Sequence, residues 1–121
     1  MSGPWYMRPV LAVSDMNQSL AFYVDKLGFS EAWQHGENGH VLVAQVQRSG
    51  CELILTGQWP EKIGGGVVFI SLRADDLDAA RTEFEERGIA VKDGWWGYKL
   101  MIVEDLDGNQ LYFPYASEDP A

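Results

Sequence analysis

The sequence predicts an α+β fold of two tandem β-α-β-β-β modules, whose strands build a curved mixed sheet with the helices outside. Three observations carry this. The same order of hydrophobic patterns occurs twice, over residues 6–56 and 67–116, with a Gly- and Pro-rich loop at 57–66 between them. Matching punctuation marks each copy: Asp15-Met16 and Asp76-Leu77 open a helix, and Gly28-Phe29 and Gly88-Ile89 close one and begin a strand. The chain of 121 residues, 46% hydrophobic, suffices for a single domain with a real core. A half of roughly 50 residues does not bury its apolar faces alone.

The elements follow in order. YMRPVLAVS (6–14) is apolar and β-prone, with Pro9 near its start, where a missing N–H is tolerable. Asp15 is an N-cap, and Met16, Leu20, Tyr23 and Leu27 recur on one helical face until Gly28 stops the helix. FSEAWQ (29–34) alternates as a short strand, and the polar HGENGH (35–40) holds an Asn38-Gly39 turn signal. VLVAQVQ (41–47), a Ser49-Gly50 turn and CELILT (51–56) form a hairpin. In the second copy, VVFISLR (67–73) precedes a helix capped by Asp75 or Asp76, with Leu77, Ala80 and Phe84 on its inner face. IAVK (89–92) is a strand, and KLMIVE (99–104) and QLYFPY (110–115) pair across the Asp105–Asn109 turn.

Nine Lys and Arg against 18 Asp and Glu give a formal charge of −9. That balance repels phosphate backbones and anionic lipid, which makes nucleic acid and membrane surfaces poor candidate partners, and it attracts small cations. Asp75, Asp76, Asp78, Glu83, Glu85 and Glu86 fall in one predicted helix, and Glu118 and Asp119 in the tail. They read as a solvated surface, so the charge permits a cationic ligand without specifying one. The opening MSGPWYMRPV lacks the basic start and apolar run of a signal peptide. One cysteine, Cys51, offers no intrachain disulfide, so the cytoplasm is the expected compartment.

Chemistry-bearing residues are sparse. His35 and His40 flank a turn without a nearby acid at helical or strand spacing to complete a metal site. Cys51 has no predicted histidine close enough to activate its thiol, and the glycines at 64–66 precede a strand where a phosphate cradle needs a helix. What the chain does have is five Trp, five Tyr and five Phe. Trp33 ends a strand, Trp59 lies in the intermodule loop, and Trp95-Trp96 precede Gly97 in a polar connection. Large rings outside regular core positions serve as stacking platforms for π systems and cations.

RPVLAVSDMNQSLAFYVDKLGF (8–29), LRADDLDAARTEFEERGI (72–89) and WGYKLMIVEDLDGNQLYF (96–113) resemble the vicinal oxygen chelate superfamily of glyoxalases, extradiol dioxygenases and bleomycin resistance proteins. Its most specific pieces here are S-D-M followed by F-Y-x-x-K-L-G-F, and D-x-D-G-N before the last strand. Leu106 stands where Pro is usual in that turn, and about one extra residue separates Trp96-Gly97 from Asp105. The family's enzymes place a His seven residues before each helix-opening Asp and a Glu four residues after the Gly of D-x-D-G-N. Counting gives Arg8, Phe69 and Tyr112, none of which suits a divalent cation, so the resemblance implies neither metal nor cofactor.

The resemblance is closest to the metal-free bleomycin resistance proteins, which carry an aromatic after L-G-F, matching Trp33, and a Trp-Gly pair, matching Trp96-Gly97. It implies a homodimer, with the first strand exchanged near Pro9, that sequesters a planar, cationic antibiotic by stacking and acidic charge. The candidate ligand-binding set is Trp33, His35, Thr56, Trp59, Phe69, Trp95, Trp96, Tyr98 and Tyr112, with no catalytic residue. Inward direction depends on strand register, since a slip of one residue reverses every side chain. The competing expectation is a glyoxalase- or dioxygenase-like enzyme, metal-free or with a metal relocated to Glu52, Glu104 or a histidine. Glu52 lies near a position where glyoxalases carry an additional acidic ligand.

Overall fold

A computed structural model describes residues 3–97 and 99–115. The first module runs β1 (Val10–Ala12), α1 (Met16–Ala21) widening into a π-helical turn over Phe22–Lys26, β2 (Ser30–Glu37), β3 (His40–Arg48) and β4 (Cys51–Thr56). A 3-10 turn at Pro60–Lys62 leads to the second: β5 (Val67–Phe69), α2 (Ala74–Glu86), β6 (Lys92–Trp95), β7 (Lys99–Glu104) and β8 (Gln110–Pro114). Each module forms its own four-stranded sheet, in the orders β1-β4-β3-β2 and β5-β8-β7-β6. Both sheets are mixed: β1 on β4 and β5 on β8 are parallel, and the other pairs are antiparallel. The repeated β-α-β-β-β order is present, as two sheets and not one continuous sheet.

Several boundaries differ from the sequence reading. The first strand shrinks to three residues because only the backbone from Pro9 to Val13 finds partners on β4. The turn expected over 35–40 is confined to Asn38 and Gly39, both at positive φ, so His35 lies inside β2 opposite Val43 and His40 opens β3. Helix α2 is capped at Arg73 without a side-chain bond, and Asp75 and Asp76 sit in its first turn, where acids favour the positive end of the helix dipole. The strand expected at 89–92 is displaced to Lys92–Trp95, which takes Trp95 out of the loop and sets it opposite Lys99.

Strand alternation sets the core. Ala44, Val46, Leu53 and Leu55 of the first sheet, and Met101, Val103, Leu111 and Phe113 of the second, are buried in one cluster. The same cluster takes Met16, Tyr23 and Leu27 from the first helical segment and Leu77, Ala80 and Phe84 from α2. The neighbouring positions Val43, Gln45, Ile54, Ile102 and Tyr112 therefore lie on the opposite sheet faces, away from the helices. Among the described residues no helix is long and apolar enough to cross a membrane.

The modules are clasped by the Asp105–Asn109 turn. The Asp105 carboxylate accepts from Tyr23 Oη (3.0 Å), Asn109 Nδ2 (2.9 Å) and the backbone N–H groups of Asp107 and Asn109 (2.9 Å each). Asn109, fully buried, also donates from Nδ2 to the Ala12 carbonyl (3.0 Å) and accepts from the Gly66 N–H (2.9 Å). Gly66 must be glycine for this approach, since a Cβ there would run into Leu11 and come within 3.0 Å of Asn109 Oδ1. Asp107 accepts from Ser14 Oγ (2.6 Å) and from the Ser14 N–H (3.1 Å). A second tie is the bidentate Arg48–Glu83 pair, 3.0 Å on each arm.

Burial, and then the charge of Asp105, push the Tyr23 hydroxyl well above its ordinary pKa. The folded state therefore holds this proton more tightly than the unfolded chain does. The resulting stability is complete below about pH 10 and is lost as pH rises through the folded value. Tyr23→Phe is expected to be about 1 kcal/mol less stable than the parent at neutral pH. The gap should narrow above about pH 10. Urea titrations of both proteins at pH 7 and at alkaline pH check this, and a constant gap counts against it.

Candidate functional site: an aromatic groove on the second sheet

On the open face of the second sheet, register aligns Phe69 with Tyr112, Tyr112 with Ile102, and Ile102 with Lys92, one row crossing all four strands. Phe69 and Tyr112 meet edge to face with centroids 5.5 Å apart. Trp96, just past the end of β6, folds back over them at 4.8 Å from Phe69 and 6.4 Å from Tyr112. Gly97 at φ +78 supplies the backbone turn after this indole. Gly94 lets β6 lie close to β7, where a Cβ would collide with Ile102. The result is a groove of about 490 Å³ lined by Val67, Phe69, Trp95, Trp96, Leu100, Ile102 and Tyr112.

One edge of the groove is polar. Tyr112 Oη donates to Gln110 Oε1 (2.9 Å), and Gln110 Nε2 donates to Glu104 Oε2 (2.9 Å). Lys92 Nζ lies 3.5 Å from Glu104 Oε1. The Gln110 hydrogen bond, and then the Lys92 charge, hold the Glu104 carboxyl below its usual range. Glu104 is thus an ionised, partly exposed group that holds Gln110, which in turn accepts from Tyr112.

The remaining candidate residues are elsewhere. Trp33 is 41% exposed on the first sheet, bonded to Gln45. His35 lies two residues further along exposed β2. Thr56 is buried, its hydroxyl accepting from the Gln58 N–H at 3.2 Å. Trp59 borders a separate hollow with Val10, Leu11 and Lys62, whose ammonium sits 5.0 Å from its ring centroid. Tyr98 lies outside the described residues. The structure thus brings Phe69, Trp95, Trp96 and Tyr112 into one groove, and none of Trp33, His35, Thr56 or Trp59 lines it. Sequence reasoning missed Val67, Leu100 and Ile102. Alternation about the core positions Val68, Met101 and Val103 was the available signal.

The donor set at the positions where family enzymes bind metal does not fit a divalent ion. Phe69 and Tyr112 offer a phenyl ring and a phenol, and the Arg8 guanidinium is a cation bonded to Gln45. Glu104 is engaged with Lys92 and Gln110, and among the described residues no three His, Cys, Asp or Glu side chains gather.

Two tandem β-α-β-β-β modules, each with its own four-stranded mixed sheet, define a member of the vicinal oxygen chelate class. The chain belongs to the Glyoxalase/Bleomycin resistance protein/Dioxygenase superfamily, whose family model matches residues 5–113. It is 28% identical to the bleomycin resistance protein of Geobacillus stearothermophilus, over 87% of this chain and 92% of that one. Among solved structures it is similar to TnmS3, an antibiotic-binding protein from a Streptomyces species. That match has 25% identity and TM-score 0.74, covering 97% of this chain and 100% of that one. The bleomycin-binding protein of Streptomyces verticillus, solved with copper(II)-bleomycin, shares the fold at 22% identity and TM-score 0.74, with 97% and 100% covered.

Proposed function

We propose that this protein binds a flat aromatic antibiotic and sequesters it in the cytoplasm without converting it, acting as a homodimer. The observation that carries the reading is the Phe69–Trp96–Tyr112 cluster. The three rings stand within stacking range of one another, and two of them, Phe69 and Tyr112, fall where the family resemblance places chelating side chains. The antibiotic-binding relatives support it. The amino-terminal arm supports the dimer, because Trp5 is 94% and Met7 91% exposed in the single chain. A second copy covering the arm and the open sheet faces would wall in two grooves.

Stacking supplies ~1–3 kcal/mol per ring, so two or three rings with apolar burial suffice for a submicromolar Kd, about −8 kcal/mol. The acids of α2 lie on the opposite side of the second sheet from the groove. Their field raises the encounter rate with a cationic ligand and is screened by salt, whereas the stacking is not. Titrating the protein with bleomycin and other planar antibiotics, followed by tryptophan fluorescence and thermal shift, tests the reading. A ligand at 100 times its Kd is expected to add ~2.7 kcal/mol of stability, and mass spectrometry should recover it unaltered. Turnover of the ligand, or no binding across the panel, would overturn it.

A further inference from the structure

The first sheet carries a polar arrangement that ring stacking alone does not require. Gln45 is 5% exposed on β3, directly opposite Trp33 of β2 and beside Ile54 of β4. Its side-chain oxygen accepts from Trp33 Nε1 (3.0 Å) and from Arg8 Nη1 (2.9 Å), and its Nε2 donates to Gln47 Oε1 (3.3 Å). The amide oxygen therefore uses both lone pairs to fix one indole and one guanidinium side by side. Trp33 spends its only polar atom on this bond, so the rest of its exposed surface is aromatic. Arg8 spends one of its five N–H donors and stays exposed. Among the described residues no carboxylate lies within ion-pair distance of it. The Tyr6 ring lies 5.7 Å from its Cζ.

We propose that Trp33, Arg8 and Gln45 form a subsite on the first sheet, separate within one chain from the second-sheet groove, that reads an oxygen acceptor on a planar aromatic ligand. Trp33 takes the ring on its face, and Arg8 donates to a phenolate, carboxylate or quinone oxygen carried by that ring. Gln45 is the positioning residue. This rests on the binding reading above and narrows its ligand to planar aromatics bearing acidic or strongly polarised oxygens. It also runs against the net charge of −9, which taken alone favours cations. At short range a charge-assisted hydrogen bond outweighs a screened surface field.

Two three-ring probes test it: alizarin red S, an anionic dihydroxyanthraquinone, and proflavine, a cationic acridine. Both are titrated against tryptophan fluorescence in about 0.3 M salt, where the Debye length is near 6 Å and long-range charge is muted. Arg8→Met is expected to weaken alizarin red S about 10-fold or more and to leave proflavine within about twofold. Gln45→Glu keeps both acceptor bonds but engages the guanidinium in an ion pair, which competes with an anionic ligand oxygen. It should reproduce the same selectivity change with the thermal midpoint intact, which a merely structural role for Gln45 would not do. Unchanged alizarin affinity in both variants overturns the subsite and leaves the binding reading standing. Failure of the parent protein to bind alizarin red S also overturns the subsite, whereas the binding reading falls only if the antibiotic panel goes unbound as well.

Discussion

Replacing Asn109 with alanine is expected to destabilise the fold by ~3–5 kcal/mol, because the lost side chain leaves buried groups of both modules without partners. The Ala12 carbonyl loses its Nδ2 donor, the Gly66 N–H loses its acceptor, and Asp105 loses one of its donors. A domain of ordinary stability has about 5–15 kcal/mol in all, so this one substitution takes a large fraction. For a chain of this length it corresponds to a midpoint lowered by roughly 10–20 °C. Calorimetry or urea denaturation of Asn109→Ala beside the parent decides the point. A loss below about 1 kcal/mol would mean the clasp contributes no more than an average surface hydrogen bond.

Trp96→Ala should do the reverse, sparing the fold and damaging the binding. The indole is 62% exposed and lies over Phe69 and Tyr112 instead of within the core cluster, so its removal should move the thermal midpoint by no more than a degree or two. Affinity for a planar ligand should fall by about 5- to 150-fold, the equivalent of one stacked ring. Isothermal titration of Trp96→Ala and Trp96→Phe with the same ligand separates the contributions, since phenylalanine restores a smaller π face. Equal affinity in all three proteins would locate binding elsewhere.

Much of the architecture was legible because its signals are local. An acid before an apolar stripe and a glycine after it are decided within a few residues, and the spacing of Asp15 to Gly28 repeats closely in Asp76 to Gly88. Strand six was misplaced for the opposite reason. Asp93-Gly94 has turn composition, yet Gly94 lies within a strand because Ile102 of the neighbouring strand occupies the space a Cβ would need. Counting along the family pattern reached Phe69 and Tyr112, and adjacency of two indoles reached Trp96, but their meeting over one row of the sheet depends on register. Gln45 was legible only as a polar break in VLVAQVQ. Its grip on Arg8 and Trp33 requires three segments at once. The D-x-D-G-N motif reads locally as a turn, while its partners Ser14, Ala12 and Tyr23 lie far away in sequence.

Those clasp bonds span 82, 93 and 97 residues of a 121-residue chain. A nascent polypeptide that has not yet delivered Asp105 and Asn109 has a first half with no acceptor for the Tyr23 hydroxyl and no donor for the Ala12 carbonyl. Closing so long a loop is an entropic cost met before any of these bonds forms, which places such topologies among the slower folders. The timetable of synthesis is thereby written into the architecture: the earliest residues made are the ones that wait for the latest.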